Sequence, residues 1–382
     1  MAHRAIGDLF TLVKGRKALE VFSESVSGTN RYIQIEDLRS DNELKYVNDP
    51  SGTLVVPNDI CIAWDGANAG TVGYGLNGLI GSTIARLRPA DETRVFTPYV
   101  AKYLQSKFEV LNQSTTGATI PHVSRDRLMG LSPAIPEYVE QRRIAAILDK
   151  ADAIRRRRQA LLKDSDELIR AAFLQLLEGL PDSRISIEEL LPATPNAIRT
   201  GPFGSQLLHS EFTENGIPVL GIDNVVTNRF RWAERRYVSA EKYQELRRYR
   251  VFPGDVMVTI MGTTGRVCIA PHDLPECIST KHLCTISPNR ERLSPEFLWA
   301  SLLWDPVVRA QAAREGKGAI MEGWNMGIVR GLLIKLPTIA QQQTFAAFVR
   351  KMEMLRIKYQ TAELQANELF SSLAQRAFNG QL

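Results

Sequence analysis

Apolar residues recur every seven positions in two stretches of this chain. Ile147, Ile154, Leu161 and Leu168 form one row, with Ile144, Ala151, Arg158, Ser165 and Ala172 beside it. Phe348, Leu355, Ala362 and Leu369 form another, with Phe345, Met352, Tyr359, Ala366 and Leu373 beside it. Neither EQRRIAAILDKADAIRRRRQALLKDSDELI (140–169) nor QQQTFAAFVRKMEMLRIKYQTAELQANELF (341–370) contains Gly or Pro, so each reads as an unbroken helix. A sustained seven-residue period predicts a coiled coil. Arg158 and Ser165 interrupt the first seam, and the large Phe345, Met352 and Tyr359 suit it. The two helices are therefore expected to pack on each other.

The helices are part of a longer repeat. Pro136 recurs as Pro337, Gln141 as Gln342, Ala145-Ala146 as Ala346-Ala347, Glu167-Leu168 as Glu368-Leu369 and Gly179 as Gly380, each 201 residues on. Upstream, Gly117-Ala118 falls on Gly318-Ala319 and Gly130-Leu131 on Gly331-Leu332. The intervening parts echo each other through short apolar runs closed by turn residues. VVPNDICIAWDGANAG (55–70) matches VFPGDVMVTIMGTTG (251–265), and RYIQIEDL (31–38) matches PVLGIDNV (218–225). Short strands with Gly-rich turns predict mixed α+β globular parts over 1–136 and 180–336, alternating with helices over 137–179 and 337–382. The first helix spans about 64 Å at about 1.5 Å per residue. Antiparallel pairing of the helices predicts a pseudo-twofold, near-circular arrangement with residue 1 near residue 382.

The chain has 382 residues, 44% apolar and 23% charged, which suits two or three packed domains. No apolar run approaches a membrane span, and the start, MAHRAIGDLFTLVKGRK, lacks the apolar stretch of a secretory signal. A cytoplasmic location is expected. The four cysteines contain no CxxC pair, and free, buried thiols are expected. His272, Cys277, His282 and Cys284 lie close in sequence, but their spacing fits no zinc pattern. Net charge is +5 with a pI near 9.0. The stretch 229–250 holds eight Lys/Arg against three Glu, so its excess matches that of the whole chain and suggests a polyanionic partner.

Enzyme motifs are scarce. No Pro-Pro occurs, so the motif with which adenine methyltransferases grip a flipped base is missing. GYGLNG (73–78) fits GxGxxG but is not followed by a convincing helix. Glu43-Leu-Lys45 and Glu315-Gly-Lys317 could belong to a nuclease, yet Pro181-Asp182 is far from both. No catalytic residue is assigned.

The segments IPEYVEQRRIAAIL, LPTIAQQQ, GPFGSQLL (201–208), VFPGDVMVTIMGTTG, TTGATIPHVSRDRL and GKGAIMEGWNMGIV together resemble the specificity (S) subunits of Type I restriction–modification systems. The resemblance covers essentially the whole chain. It implies two target recognition domains, each reading one half of a bipartite DNA site, with the coiled coil setting the gap. It also implies assembly with two modification subunits, which carry S-adenosylmethionine and methylate adenine, and with restriction subunits in some complexes. No cofactor is expected on this chain itself. The first half departs from the pattern. It shows no counterpart to Gly201-Pro202-Phe203-Gly204-Ser205, and Asn58 stands where the second half has Gly254, implying a diverged or shortened domain.

Candidate DNA-binding residues follow from charge and position. Arg229, Arg231, Arg235, Arg236, Arg247, Arg248 and Arg250 interleave with Phe230, Trp232, Tyr237 and Tyr249, and arginine can hold phosphates or read guanine. The same stretch also reads as a surface helix capped by Ser239. Gly201, Gly204 and Ser205 suit close backbone approach to a phosphate, and Lys281 and His282 follow a turn from which they could reach a base edge. In the first half, Arg31, Trp64, Asn68 and His122 are the candidates. Arg155 to Arg158 reads as an exposed coil face. The alternatives are a specificity subunit of a Type IIB-like enzyme, or a scaffold that dimerises through its coil.

Overall fold

The computed structural model describes residues 2–40, 42–112, 121–233, 235–316 and 323–381. The paired segments Gly117-Ala118 and Gly318-Ala319 lie outside the described residues. The chain divides into two compact units, one of Met1–Ala160 with Gln360–Leu382 and one of Leu161–Tyr359. Each long helix contributes to both units.

In unit 1, strands β1 (Phe10–Lys14), β2 (Asn30–Ile33), β3 (Tyr46–Val47), β4 (Thr53–Val55), β5 (Ile60–Ala63), β6 (Val72–Tyr74), β7 (Gly78–Ile80) and β8 (Ile84–Pro89) build two sheets, ordered β1-β8-β5-β6 and β3-β2-β7-β4. Only β2 and β7 pair in parallel, with Ile33 opposite Ile80. The helices of this unit include α1 (Thr97–Ser106) and the first part of α2 (Tyr138–Glu178). Every residue of β5 is buried, as a central strand covered on both faces requires. The core joins the first sheet to α1 (Tyr99, Leu104), to α2 (Ile144, Leu148) and to Ala374, Ala377 and Phe378.

Unit 2 repeats this plan. Strands β9 (Ile198–Thr200), β10 (Ile217–Leu220), β11 (Arg236–Val238), β12 (Val256–Thr259), β13 (Val267–Ile269), β14 (Ile278–Ser279) and β15 (Leu283–Ile286) form sheets ordered β9-β15-β12-β13 and β11-β10-β14. Here β10 and β14 are the parallel pair, with Leu220 opposite Ser279. The helices include α3 (Ala240–Leu246), α4 (Pro295–Trp304) and the first part of α5 (Ile339–Phe378). Ser239 caps α3, its side chain accepting from the Lys242 amide, as its place before the helix predicts.

The equivalence corrects the reading of the first half. Gly15 follows β1 as Gly201 follows β9. A Cβ at Gly15 would lie 2.2 Å from the Gly81 carbonyl oxygen, and one at Gly201 2.1 Å from that of Ser279. Both glycines exist because the chain grazes the parallel strand. Gly201 is therefore packed against its own backbone rather than presented to a phosphate. The first half has its counterpart to Gly201, hidden in the unremarkable sequence Lys14-Gly15-Arg16.

The repeated Gln anchors each long helix in the same way. Gln141 is fully buried, accepts from the Phe96 amide at 2.9 Å, and donates to the carbonyls of Arg94 (2.8 Å) and Pro136 (2.9 Å). Gln342, equally buried, accepts from the Ser294 amide at 2.9 Å and donates to those of Arg292 and Pro337, both at 3.0 Å. One amide side chain satisfies three main-chain groups at the junction of lobe and helix, which is why Pro and Gln recur together.

The helices pair antiparallel inside each unit. In unit 1 the guanidinium of Arg155 lies 5.2 Å over the Phe370 ring, and Arg158 donates to the Ala362 carbonyl. In unit 2 Asp166 accepts from Arg356 at 3.0 Å, and Phe173 packs on Phe345 at 5.9 Å. One predicted row is displaced. More than half of Ile154, Leu168 and Leu369 stands in solvent. The inward residues run Ile144, Leu148, Ala151, Arg155, Arg158, Ser165, Ile169, Ala172 on α2, and Phe345, Val349, Met352, Arg356, Tyr359, Glu363, Ala366, Phe370, Leu373, Ala377 on α5. The row through Ile144 and Phe345 is the expected one; its companion lies one residue later than the row of Ile147 and Phe348. Arg155, Arg356 and Glu363 occupy the inner row; the two arginines bury their stems while their heads reach Asp152 and Asp166. Ile147, Leu161, Phe348 and Leu355 are half-buried at its margin.

Candidate nucleic-acid interface

In both units the chain leaves the parallel strand pair over a short turn and opens a cleft at the strand ends. Unit 2's cleft has a volume of about 360 Å³ and is lined by Gly204, His209, Asp223, Arg236, Lys281 and His282 among others. Arg236 and Lys281 are exposed, and among the described residues neither pairs with a carboxylate. Burial lowers the pKa of His282, and the neighbouring Lys281 and Arg236 lower it further. The imidazole is thus neutral at pH 7 and offers one donor and one acceptor beside two cations. Gly204, at φ +58° with open space beside it, and the exposed Ser205 form the rim.

The basic–aromatic stretch flanks this cleft. Arg231 donates to the Asp223 carbonyl at 3.1 Å, and the Asn224 side chain donates back to the Arg231 carbonyl at 2.9 Å. Arg235 lies 4.5 Å over the half-exposed Trp232 ring, itself edge-on to Phe230 at 5.0 Å. Such a pair offers a flat cationic surface. Arg229 is different. Its guanidinium binds Asp166 and Glu353, each at 2.7 Å, and sits 5.9 Å over the Trp299 ring. Its charge is consumed within the protein, so the structure reassigns it from DNA contact to anchoring this loop on the long helices.

Unit 1 has the equivalent cleft, about 610 Å³, with a different lining: Gln34, Glu36, Asp37, Asn42, Glu43 and Lys45. Asp37 accepts from Arg31 at 3.1 Å and from the Gln34 amide at 2.7 Å, and Lys45 donates to the Gln34 side chain at 2.6 Å. Glu36 and Glu43 are exposed. Arg31 therefore braces the cleft wall. The other candidates gather on the neighbouring loop. Trp64 is buried, with Lys14 5.4 Å over its ring, so its indole is not available for a base. Asn68 accepts from Arg39 at 3.0 Å, and His122, exposed, joins Asp65 through a main-chain bridge. Sequence reasoning missed Gln34, Glu36, Glu43, His209 and Asp223. For Gln34, Glu36 and Asp223 the signal was the matched pair RYIQIEDL and PVLGIDNV, whose polar residues follow directly on the parallel strands; Glu43 and His209 lie outside both segments.

The model of the Type I restriction modification DNA specificity domain matches residues 1–163. The MjaVIII Type I restriction enzyme specificity subunit of Methanocaldococcus jannaschii is 24% identical over 365 residues, covering 92% of this chain and 85% of the relative. The EcoBI specificity subunit of Escherichia coli is 24% identical over 389 residues, covering 92% and 79%. The chain is similar to the specificity subunits of Type I restriction–modification systems. The fold agrees: the S subunit of M. genitalium superposes with a TM-score of 0.61 at 16% identity, covering 99% of this chain and 96% of that one. A chain from a structure of type I R-M complex assembly and conformational transition gives 0.56 at 17%, covering 100% and 98%. The family match falls on the half whose motifs are weaker, which fits the strand order the two units share.

The chain carries its four cysteines inside the units. Cys61, Cys268, Cys277 and Cys284 are all free and buried, and burial pushes the thiols of Cys61, Cys277 and Cys284 up to about 12, so they stay protonated and unreactive. Among the described residues no group of three or more His, Cys, Asp or Glu side chains is placed to hold a metal ion. No described helix is long and apolar enough to cross a membrane.

Proposed function

We propose that each unit reads one half of a bipartite double-stranded DNA site through the cleft at the end of its parallel strand pair, while α2 and α5 set the gap between the halves. The observation that carries this reading is duplication with divergence. Two units share the strand order of their first sheets, the parallel strand pair, the grazing glycine and the glutamine anchor, yet line their clefts with unlike side chains. Base edges are read by side chains, and register by backbone contacts, so one build with two linings suits two different half-sites. The chain itself supplies recognition and no catalysis; methylation and cleavage belong to partner subunits working with it in the cytoplasm.

The outward apolar residues of the long helices support docking of two modification subunits, which bring the S-adenosylmethionine. In unit 1 these are Ile154, Leu364 and Leu369; in unit 2, Leu168, Met354 and Ile357. Exposed apolar side chains at helical spacing suit a partner helix.

The test is to map DNA methylation in cells expressing this chain with its modification partner. The expected result is a motif of two short specified blocks separated by a fixed unspecified gap. A continuous motif contradicts the reading.

A further inference from the structure

The two units differ at a second place, at the end of the first sheet away from the clefts. Asp59 and Asp255, of the Pro-x-Asp turns, are both buried and both ion-paired, but their arginines come from strands that do not correspond. Asp59 takes Arg88 in a two-pronged bond at 2.8 and 2.7 Å. Arg88 follows Leu87, opposite Ile60. In unit 2 the residue at that position, after Ile286 opposite Val256, is Ser287. The arginine for Asp255 arrives instead from β9, as Arg199.

Withdrawing the arginine from the β15 side goes with a surface pocket of about 420 Å³, whose lining includes Arg199, Arg247, Arg248, Phe252, Ser287 and Arg290. Its carboxylate, Asp255, is spoken for. Besides Arg199 it accepts from Ser287 at 2.6 Å and from the Phe252 amide at 2.8 Å. Arg247, Arg248 and Arg290 are exposed and, among the described residues, have no carboxylate partner. Arg290 is seated by donating to the Pro253 carbonyl at 2.6 Å. A Cβ at Gly254 would lie 2.2 Å from that same nitrogen, so the glycine of Pro-Gly-Asp is what lets the guanidinium lie there. In unit 1 the corresponding turn carries Asn58, and Asp91 follows Arg88 by three residues as Arg290 follows Ser287.

We propose that this arginine pocket is a phosphate site, and that on DNA it holds backbone phosphate flanking the half-site read by unit 2. Three unneutralised guanidinium groups around one pocket repel each other unless an anion joins them, and arginine grips phosphate through paired N–H groups. The strand between cleft and pocket is β9, three residues or about 10 Å long, which corresponds to about three base pairs at 3.4 Å each. A duplex whose bases meet the cleft therefore has phosphates within reach of the pocket. Among the described residues unit 1, with Arg88 and Asp91 at this position, has no such site. The proposal rests on the reading that unit 2 binds DNA, and free nucleotide phosphate is the other source of the same chemistry.

The experiment compares the full chain, assembled with its modification partner, with the triple variant Arg247→Gln, Arg248→Gln, Arg290→Gln. DNA affinity is measured against salt, and the unfolding midpoint of each protein is measured with and without pyrophosphate. For every phosphate that the variant leaves unneutralised, the slope of log K against log salt becomes shallower by about 0.9. The expected result is a slope shallower by about 1 to 3 with the methylated sequence unchanged, because phosphate contacts carry no base information. An unchanged slope, with pyrophosphate raising the midpoint of the parent but not of the variant, supports the phosphate site and assigns it to free nucleotide. An unchanged slope and no pyrophosphate effect on the parent overturn the proposal while leaving unit 2 as a DNA reader. If the parent assembly binds DNA without salt dependence, the DNA reading itself fails and the pyrophosphate comparison alone decides the pocket.

Discussion

The cleft of unit 1 presents Glu36, Asp37 and Glu43 where that of unit 2 presents Arg236, Lys281 and His282. The surrounding strand order is the same, apart from β4, which adds a fourth strand to the second sheet of unit 1. What differs is side chains beyond the ends of the parallel pair, and what persists is buried hydrogen bonding made to main chain. Carboxylates accept from base amino groups, whereas Arg and Lys donate to guanine O6 and N7. The architecture thus separates framework from cleft lining, so that one can vary without the other. The same separation holds at the helices. Asp152 takes the buried Lys102 of α1 at 3.4 Å, while its repeat equivalent Glu353 takes Arg229 from a loop.

The comparison can be broken most severely at the buried pair of unit 1. Arg88→Ala leaves Asp59 buried without its cation, and the expected loss is about 3 to 5 kcal/mol, measured by denaturant unfolding. Rebuilding the unit 2 arrangement as Val13→Arg, Arg86→Thr, Arg88→Ser should recover more than half of that loss; no recovery would show that the two pairs are not equivalent. Next, Gln141→Ala and Gln342→Ala each strand three main-chain groups, at an expected cost of about 3 kcal/mol, and the two values should agree within about 1 kcal/mol. Arg229→Met removes a charge-assisted anchor at an expected cost of about 1.5 to 3 kcal/mol, again read by unfolding, and should loosen unit 2 without altering unit 1. The smallest effect is with pH. His282 is held neutral by burial and by Lys281 and Arg236. A lowered folded pKa means that the unfolded chain takes the proton first. Its stabilising contribution is present above the ordinary histidine value and is lost as pH falls through it toward the lowered one. The pH profile of unfolding should therefore flatten between pH 7 and 5 in His282→Gln, and an unaltered profile would exclude this histidine as the cause.

The large-scale plan was legible in sequence because repetition is: two helices with one period, two Pro-x-Asp strands and two Pro/Gln junctions. The seam register was not, because inward Arg155, Arg356 and Glu363 break the apolar row that marks a buried face. Gly15 was missed because its need arises from a strand some 65 residues later in the chain, Gly78–Ile80. Arg229 could not be separated from Arg236 by composition, since what distinguishes them is the position of Glu353 and Asp166 in space. Clefts escape sequence reading for the same reason: Asp223 and Lys281 are neighbours only through the parallel pairing of β10 with β14.

The most direct test of the account is a methylation map of the assembly carrying Arg236→Ala and Lys281→Ala in unit 2. The account predicts that the base requirement of one half of the recognition motif relaxes while the other half and the gap stay as they are. Relaxation of both halves, or of neither, would contradict it.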